Sequence, residues 1–259
     1  MNKILTFLFL TFICSNSFGQ NASELNEQAK KFIETQEFDK AVPVLKQAAE
    51  LGVAEAQYNY GVTLEFGYGI EKNIDEAFFW YLKSAEQGWN DGLYKMMMAH
   101  ANGIGATQSN EKAFEYALQC AENDDITCMF NIVGAYQDGL GTEKDLNKMI
   151  EWAIRIGKLK NPENLMKSGK ITSARLNLAY MYRDGQNVEM DLSKSYSWFL
   201  IYNEFKRDFS ILQQQSVIRE IKELEQKLTA EQIKNAKRQA EQIFERPLTN
   251  LEKLYETSR

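Results

Sequence analysis

Residues 54–88, AEAQYNYGVTLEFGYGIEKNIDEAFFWYLKSAEQG, hold a pattern that returns three times further along the chain. Gly67 has equivalents at Gly103 and Gly139, each 36 residues on, and at Gly185 after 46; Trp80 steps at the same intervals to Tyr116, Trp152 and Trp198. Two markers thus agree on a period of 36 with one insertion of 10. A period of about 20 to 50 residues marks an array of stacked supersecondary units. Each unit reads as two helices. Ala56, Tyr60, Gly61 and Leu64 recur at spacings of three and four, as one face of a helix requires. Gly67 falls where the helix must stop in a left-handed conformation, which glycine adopts without a Cβ clash. The column Asn73, Ser109, Asp145, Asp191 consists entirely of residues that cap free backbone N–H groups. Behind it, Ala77, Ala113, Met149 and Ser195 stand three residues before the aromatic column and supply the inner face of the second helix. The expected fold is all-α, a right-handed α-solenoid of stacked helix hairpins.

Outward from this stretch, residues 20–52 form a variant hairpin, with Ala29 and Phe32 on one helix and Phe38, Ala41, Leu45 and Ala48 on the next. Ala41 and Gly52 lie 36 residues before Ala77 and Gly88, so the array begins here with a divergent end unit. Four full units follow at about 53–88, 89–123, 124–160 and 171–204. The stretch 158–170, KLKNPENLMKSGK, is basic, carries Pro162 and Gly169, and reads as an inserted surface loop. Residues 205–259 leave the repeat but stay helical in pattern. Phe209, Leu212, Ile218, Ile221, Leu224 and Leu228 share one face, and Thr229 with Gln232 forms a capping box opening another helix through Ile243 and Phe244. These read as helices capping the open end of the array, stopped by Pro247.

Residues 1–19 stand apart. Lys3 precedes ILTFLFLTFIC and then SNSFG, the sequence of a secretory signal peptide cleaved near Gly19 and Gln20. The expected product is exported, periplasmic or secreted. The apolar run is too short to span a bilayer, and no later segment reads as transmembrane. Ile13 stands before Cys14 where a lipoprotein places a small residue, so lipidation is not expected. The chain carries 36 acidic and 30 basic residues, a net charge of −6. An acidic chain without a basic stripe argues against nucleic acid as a partner.

The order small-x-x-x-apolar-small, then Gly-x-Gly, then Ala-x-x-Trp-Tyr resembles Sel-1-like repeats, a solenoid family related to tetratricopeptide repeats, over about 54–204. Two positions depart from the family pattern. His100 stands where the family has tyrosine, and Asn187 replaces the last second-turn glycine; asparagine tolerates the left-handed conformation needed there. The resemblance implies a scaffold that binds a protein or peptide partner, without a cofactor. It also bears on Cys120 and Cys128, whose spacing is similar to that of cysteine-rich secreted Sel-1-like proteins that cross-link neighbouring helices. An even pair in an exported chain is read as a disulfide, with two buried free thiols as the alternative. No metal site is expected, since His100 is the single histidine.

Those cysteine-rich relatives also raise an enzymatic alternative, weak β-lactam binding or hydrolysis. Ser193-Lys194-Ser195 matches no Ser-x-x-Lys motif in a suitable setting, and a lone histidine supplies no nucleophile and base pair. The Gly-x-Gly turns lack a third glycine and a preceding strand, against a nucleotide loop, and Met96, Met97 and Met98 read as core filler. One polar column remains: Asn59, Lys95, Asn131 and Asn177, each eight residues before a turn glycine. In tetratricopeptide relatives amides and lysines on the first helix line a partner groove. The alternative is that they tie neighbouring helices together.

Overall fold

The structure, a computed structural model, describes residues 21–205 and 211–250. The signal-like residues 1–19, Phe209 and the last nine residues lie outside them. Among the described residues the chain is an all-α solenoid of paired helices: α1 (21–34), α2 (Phe38–Glu50), α3 (Ala54–Phe66), α4 (Ile74–Glu86), α5 (Asn90–Asn102), α6 (Asn110–Glu122), α7 (Ile126–Asp138), α8 (Leu146–Lys158), α9 (Leu165–Asp184), α10 (Leu192–Phe205), α11 (Ile211–Lys227) and α12 (Ala230–Phe244). They fall into two compact units, the first ending at Cys128 but including Leu140–Thr142, the second comprising Met129–Gly139 and everything from Glu143 on.

The helix boundaries follow from the columns. Gly67, Gly103, Gly139 and Gly185 all have φ between 67° and 75°, and Asn187 is left-handed too, at 62°. In the second helix of each unit the cap residue accepts from a backbone N–H of the first turn: Asn73 from Glu76, Ser109 from Lys112, Asp145 from Asn147 and Lys148, Asp191 from Lys194. Each such cap is worth about 1 kcal/mol.

In the first unit α2 packs on α3, α3 on α4, α4 on α5 and α5 on α6. Tyr60, Leu64, Tyr81 and Leu93 are fully buried in this stack, each contributing about 1.5–3 kcal/mol by leaving water. Gly61 lets α3 and α4 approach closely, since a Cβ there would stand 2.7 Å from the Tyr81 ring.

In the second unit α10 lies against α9, α11 and α12. Every residue from Ser195 to Glu204 is buried as a result. The core adds Ile218, Ile221 and Leu224 of α11 and Ala236 and Ala240 of α12. The Thr229 and Gln232 capping box is formed as read.

One expectation needs correcting. The inserted loop at 158–170 is non-helical only from Leu159 to Asn164; Leu165–Lys170 is the start of α9. The Asn164 side chain accepts from Lys167 N–H and starts the helix. Its added turns are held by Ser168, which is buried and receives an Asn161 amide hydrogen bond at 2.8 Å. Arg175 fastens the linker. It is fully buried, and its guanidinium donates to Gly157 O, Leu159 O and Asn161 Oδ1 at 2.6–2.8 Å while lying 4.6 Å from the Phe205 ring and 5.0 Å from Phe244. Burial pushes its pKa down to about 10.

Candidate binding face

The side of the first helices turned from the core carries the polar column. On α3 it presents Tyr58, Asn59, Val62, Glu65 and Phe66; on α5 it presents Asp91, Tyr94, Lys95 and Met98. The two roles open to the column divide by residue. Lys95 is a tie: its Nζ donates to Glu65 Oε2 at 2.5 Å and lies 5.0 Å from the Tyr81 ring, linking α5 to α3. The same Glu65 oxygen accepts from the Tyr81 hydroxyl at 2.5 Å. Asn59, Asn131 and Asn177 make no side-chain hydrogen bond to another described residue; Asn131 and Asn177 are exposed and Asn59 is half-buried.

The ties between neighbouring hairpins come mostly from residues that no column reading singled out. Asn26 donates to Glu55 Oε2 and Gln57 to Ala49 O between the first two hairpins, and Lys95 to Glu65 between the next two, whereas Ser84 donating to Ala54 O and Gln87 to Gln57 Oε1 join the two helices of a single hairpin.

Cys120 and Cys128, both buried, are bonded through sulfur with Cα atoms 5.7 Å apart. Asp125 sits beside them and accepts from the N–H groups of Thr127 and Cys128 at 2.9 and 3.0 Å. Its carboxylate and the two sulfurs lie within 4.8 Å of one another, but the sulfurs are taken up by each other. His100 is buried, shares a 2.8 Å hydrogen bond between Nδ1 and Thr107 O, and stacks on Tyr116. Met96 and Met97 are core residues and Met98 is exposed. Ser195 is fully buried and donates to Ala179 O.

Charge is divided unevenly. Residues 21–128 hold 18 acidic and 8 basic side chains, residues 129–259 hold 18 and 21. The tyrosines report the difference. In the first unit burial raises the pKa of Tyr58, Tyr60 and Tyr116, and nearby carboxylates raise each further: Asp91 and Glu65, Glu76 and Glu50, Glu86 and Glu115 respectively. In the second, burial likewise raises Tyr180 and Tyr182; Glu220 adds to the rise at Tyr180 before Arg183 pulls it back, and at Tyr182 Lys194 pulls down against Asp191.

No described helix is long and apolar enough to cross a membrane. Among solved structures the chain is similar to a Sel1 repeat protein from Oxalobacter formigenes, with 25% identity over 70% of this chain and 49% of that one, at a TM-score of 0.56. It is also similar to c5321, described as a protective antigen present in uropathogenic Escherichia coli strains with an SLR fold (22% identity, 85% and 51% covered, TM-score 0.39), and to a Sel1 repeat protein from Klebsiella pneumoniae subsp. pneumoniae (14%, 81% and 98%, 0.40). The chain spans about half the length of the first two. The Sel1 repeat family model matches residues 54–89, 91–125, 132–161 and 172–201, just over half of the chain and in step with the hairpins, and the chain therefore belongs to the Sel1 repeat family.

Proposed function

We propose that this chain is an exported, non-catalytic scaffold that binds an extended peptide or protein segment along the outward side of its first helices. The observation that carries the reading is the state of the asparagine column. Neighbouring hairpins are tied by other side chains, Asn26 to Glu55, Gln57 to Ala49 and Lys95 to Glu65, while Asn59, Asn131 and Asn177 keep amide donors and acceptors available. An amide offers two donors and an acceptor, which suits the carbonyl and N–H groups of an extended backbone. Stacked hairpins within a unit present such groups side by side, the usual basis of recognition by solenoids. The export signal read in residues 1–19 and the Cys120–Cys128 bond belong to the same reading, since such a bond persists in an oxidising compartment.

Replacing Asn59 and Asn131 together by alanine tests it. Binding of a peptide selected on the intact chain should weaken while the melting temperature stays nearly unchanged. If the asparagines were structural instead, each alanine would lower stability by about 0.5–1.5 kcal/mol, the worth of an ordinary hydrogen bond. A clear fall in melting temperature with intact binding would sink the proposal.

A further inference from the structure

Phe66 and Tyr68 are large apolar side chains left 55% and 43% exposed at the end of α3. They do not stand alone. Tyr68 stacks on Phe66 at 5.6 Å and on Phe38 at 5.0 Å, both nearly parallel, so three rings form one continuous shelf. One edge of that shelf already holds a cation, Lys95 Nζ lying 5.5 Å from the Phe66 centroid.

Elsewhere in the chain cations lie over aromatic rings, Lys40 over Phe32 and Lys83 over Phe79 in the first unit and others in the second. Arg183 lies 4.6 Å from Tyr180, Arg155 4.7 Å from Trp152, Lys194 5.2 Å from Tyr182 and Lys148 5.3 Å from Tyr136. The first unit has 8 basic residues against 18 acidic ones, and Tyr68 has no cation over it among the described residues. Glu71, Asp75 and Glu115 likewise have no cationic partner among them.

We infer that the partner of the first unit is a basic peptide segment, whose arginine or lysine side chains lie over the Phe66 and Tyr68 rings within the field of the unit's carboxylates. The inference rests on the peptide-binding reading above and gives it a charge. Arginine suits the shelf best, because its planar guanidinium stacks on a ring while its N–H groups reach carboxylates. The net charge of the unit steers such a segment toward the face from a distance, and weakly repels an acidic one.

The test is selection of binders to the intact chain from a random peptide library, followed by titration of the synthetic winners. Selected sequences should hold more lysine and arginine than aspartate and glutamate. Their affinity should fall steeply as salt is raised. Phe66→Ala, which alters an exposed side chain, should weaken them about tenfold with an unchanged circular dichroism spectrum. Neutral or acidic winners whose binding still depends on Phe66 and Asn59 overturn the basic partner but leave the peptide-binding reading standing. Basic winners indifferent to Phe66→Ala overturn the shelf as their site. A library that yields no winner sensitive to Asn59 removes both.

Discussion

Tyr81 has no exposed surface and donates its hydroxyl to Glu65, which also receives Lys95, so one phenol stands at the joint of three helices. Burial first, and the carboxylate second, hold its pKa well above the ordinary value of 10. A group whose folded pKa is raised lends stability that is complete below the unfolded pKa and is lost as pH climbs toward the folded one. The stability contributed by Tyr81 should therefore be full at neutral pH and decline above pH about 10. Tyr81→Phe removes both the hydrogen bond and the titration. It should lower stability by about 1 kcal/mol at pH 7, and the gap from the parent chain should narrow in urea titrations as pH rises past 10. Parallel curves for the two proteins would show that this hydroxyl is not the alkaline-sensitive group. Legibility at this scale was uneven for a physical reason. A helix cap or a left-handed turn depends on its own few residues, so Asn73, Ser109, Gly67 and Asn187 could be read from type and position. Tyr81, Glu65 and Lys95 depend on which hairpins meet, and their types alone say nothing of the partner.

At the scale of elements the second-turn glycines explain why hairpins can stack as closely as they do. Gly141 has φ +72°, and a Cβ on it would stand 2.0 Å from the backbone oxygen of Asn110 at the start of α6. Gly88, with φ +77°, has nothing within 4 Å of that position. Gly88→Ala should therefore meet only the left-handed backbone penalty, about 1–2 kcal/mol. Gly141→Ala must also displace the backbone of α6, and should lose about 3 kcal/mol or more. Equal losses in chemical denaturation would refute a close approach at Gly141. The start of α9 shows where element reading fails. Its interior positions Ser168, Ile171, Arg175 and Leu178 keep helical spacing, but two of the four are polar. Apolar periodicity passes over them, and Pro162 and Gly169 pull the reading toward a loop. The proline lies in the true linker, while Gly169 lies inside α9 and is not among the glycines of positive φ, so that glycine marks no turn. What makes Arg175 an interior residue is tertiary: three oxygen acceptors and two phenylalanine rings assembled around it.

At the scale of the whole molecule, a repeat array has no single centre; each hairpin is stabilised by its neighbours, so local conditions act locally. The charge division gives this a measurable consequence. Residues 21–128 carry a net charge of −10 and residues 129–259 a net charge of +3, so self-repulsion opposes folding mainly in the first unit. Salt screens exposed charges beyond about 10 Å at 0.1 M and should relieve that repulsion. It also weakens ion pairs, but those seen among the described residues of the first unit are solvent-facing or partly exposed, a class worth about 0–1 kcal/mol each. Relief of repulsion should win. Amide hydrogen exchange followed by peptide fragments should then slow in α3–α6 as salt is raised from about 0.02 to about 0.3 M, while fragments of α9, α10 and α12 change little. Faster exchange in the first unit at high salt would mean that pairs such as Lys95–Glu65 outweigh the net charge. A uniform change along the chain would mean that the array unfolds as one cooperative body rather than hairpin by hairpin.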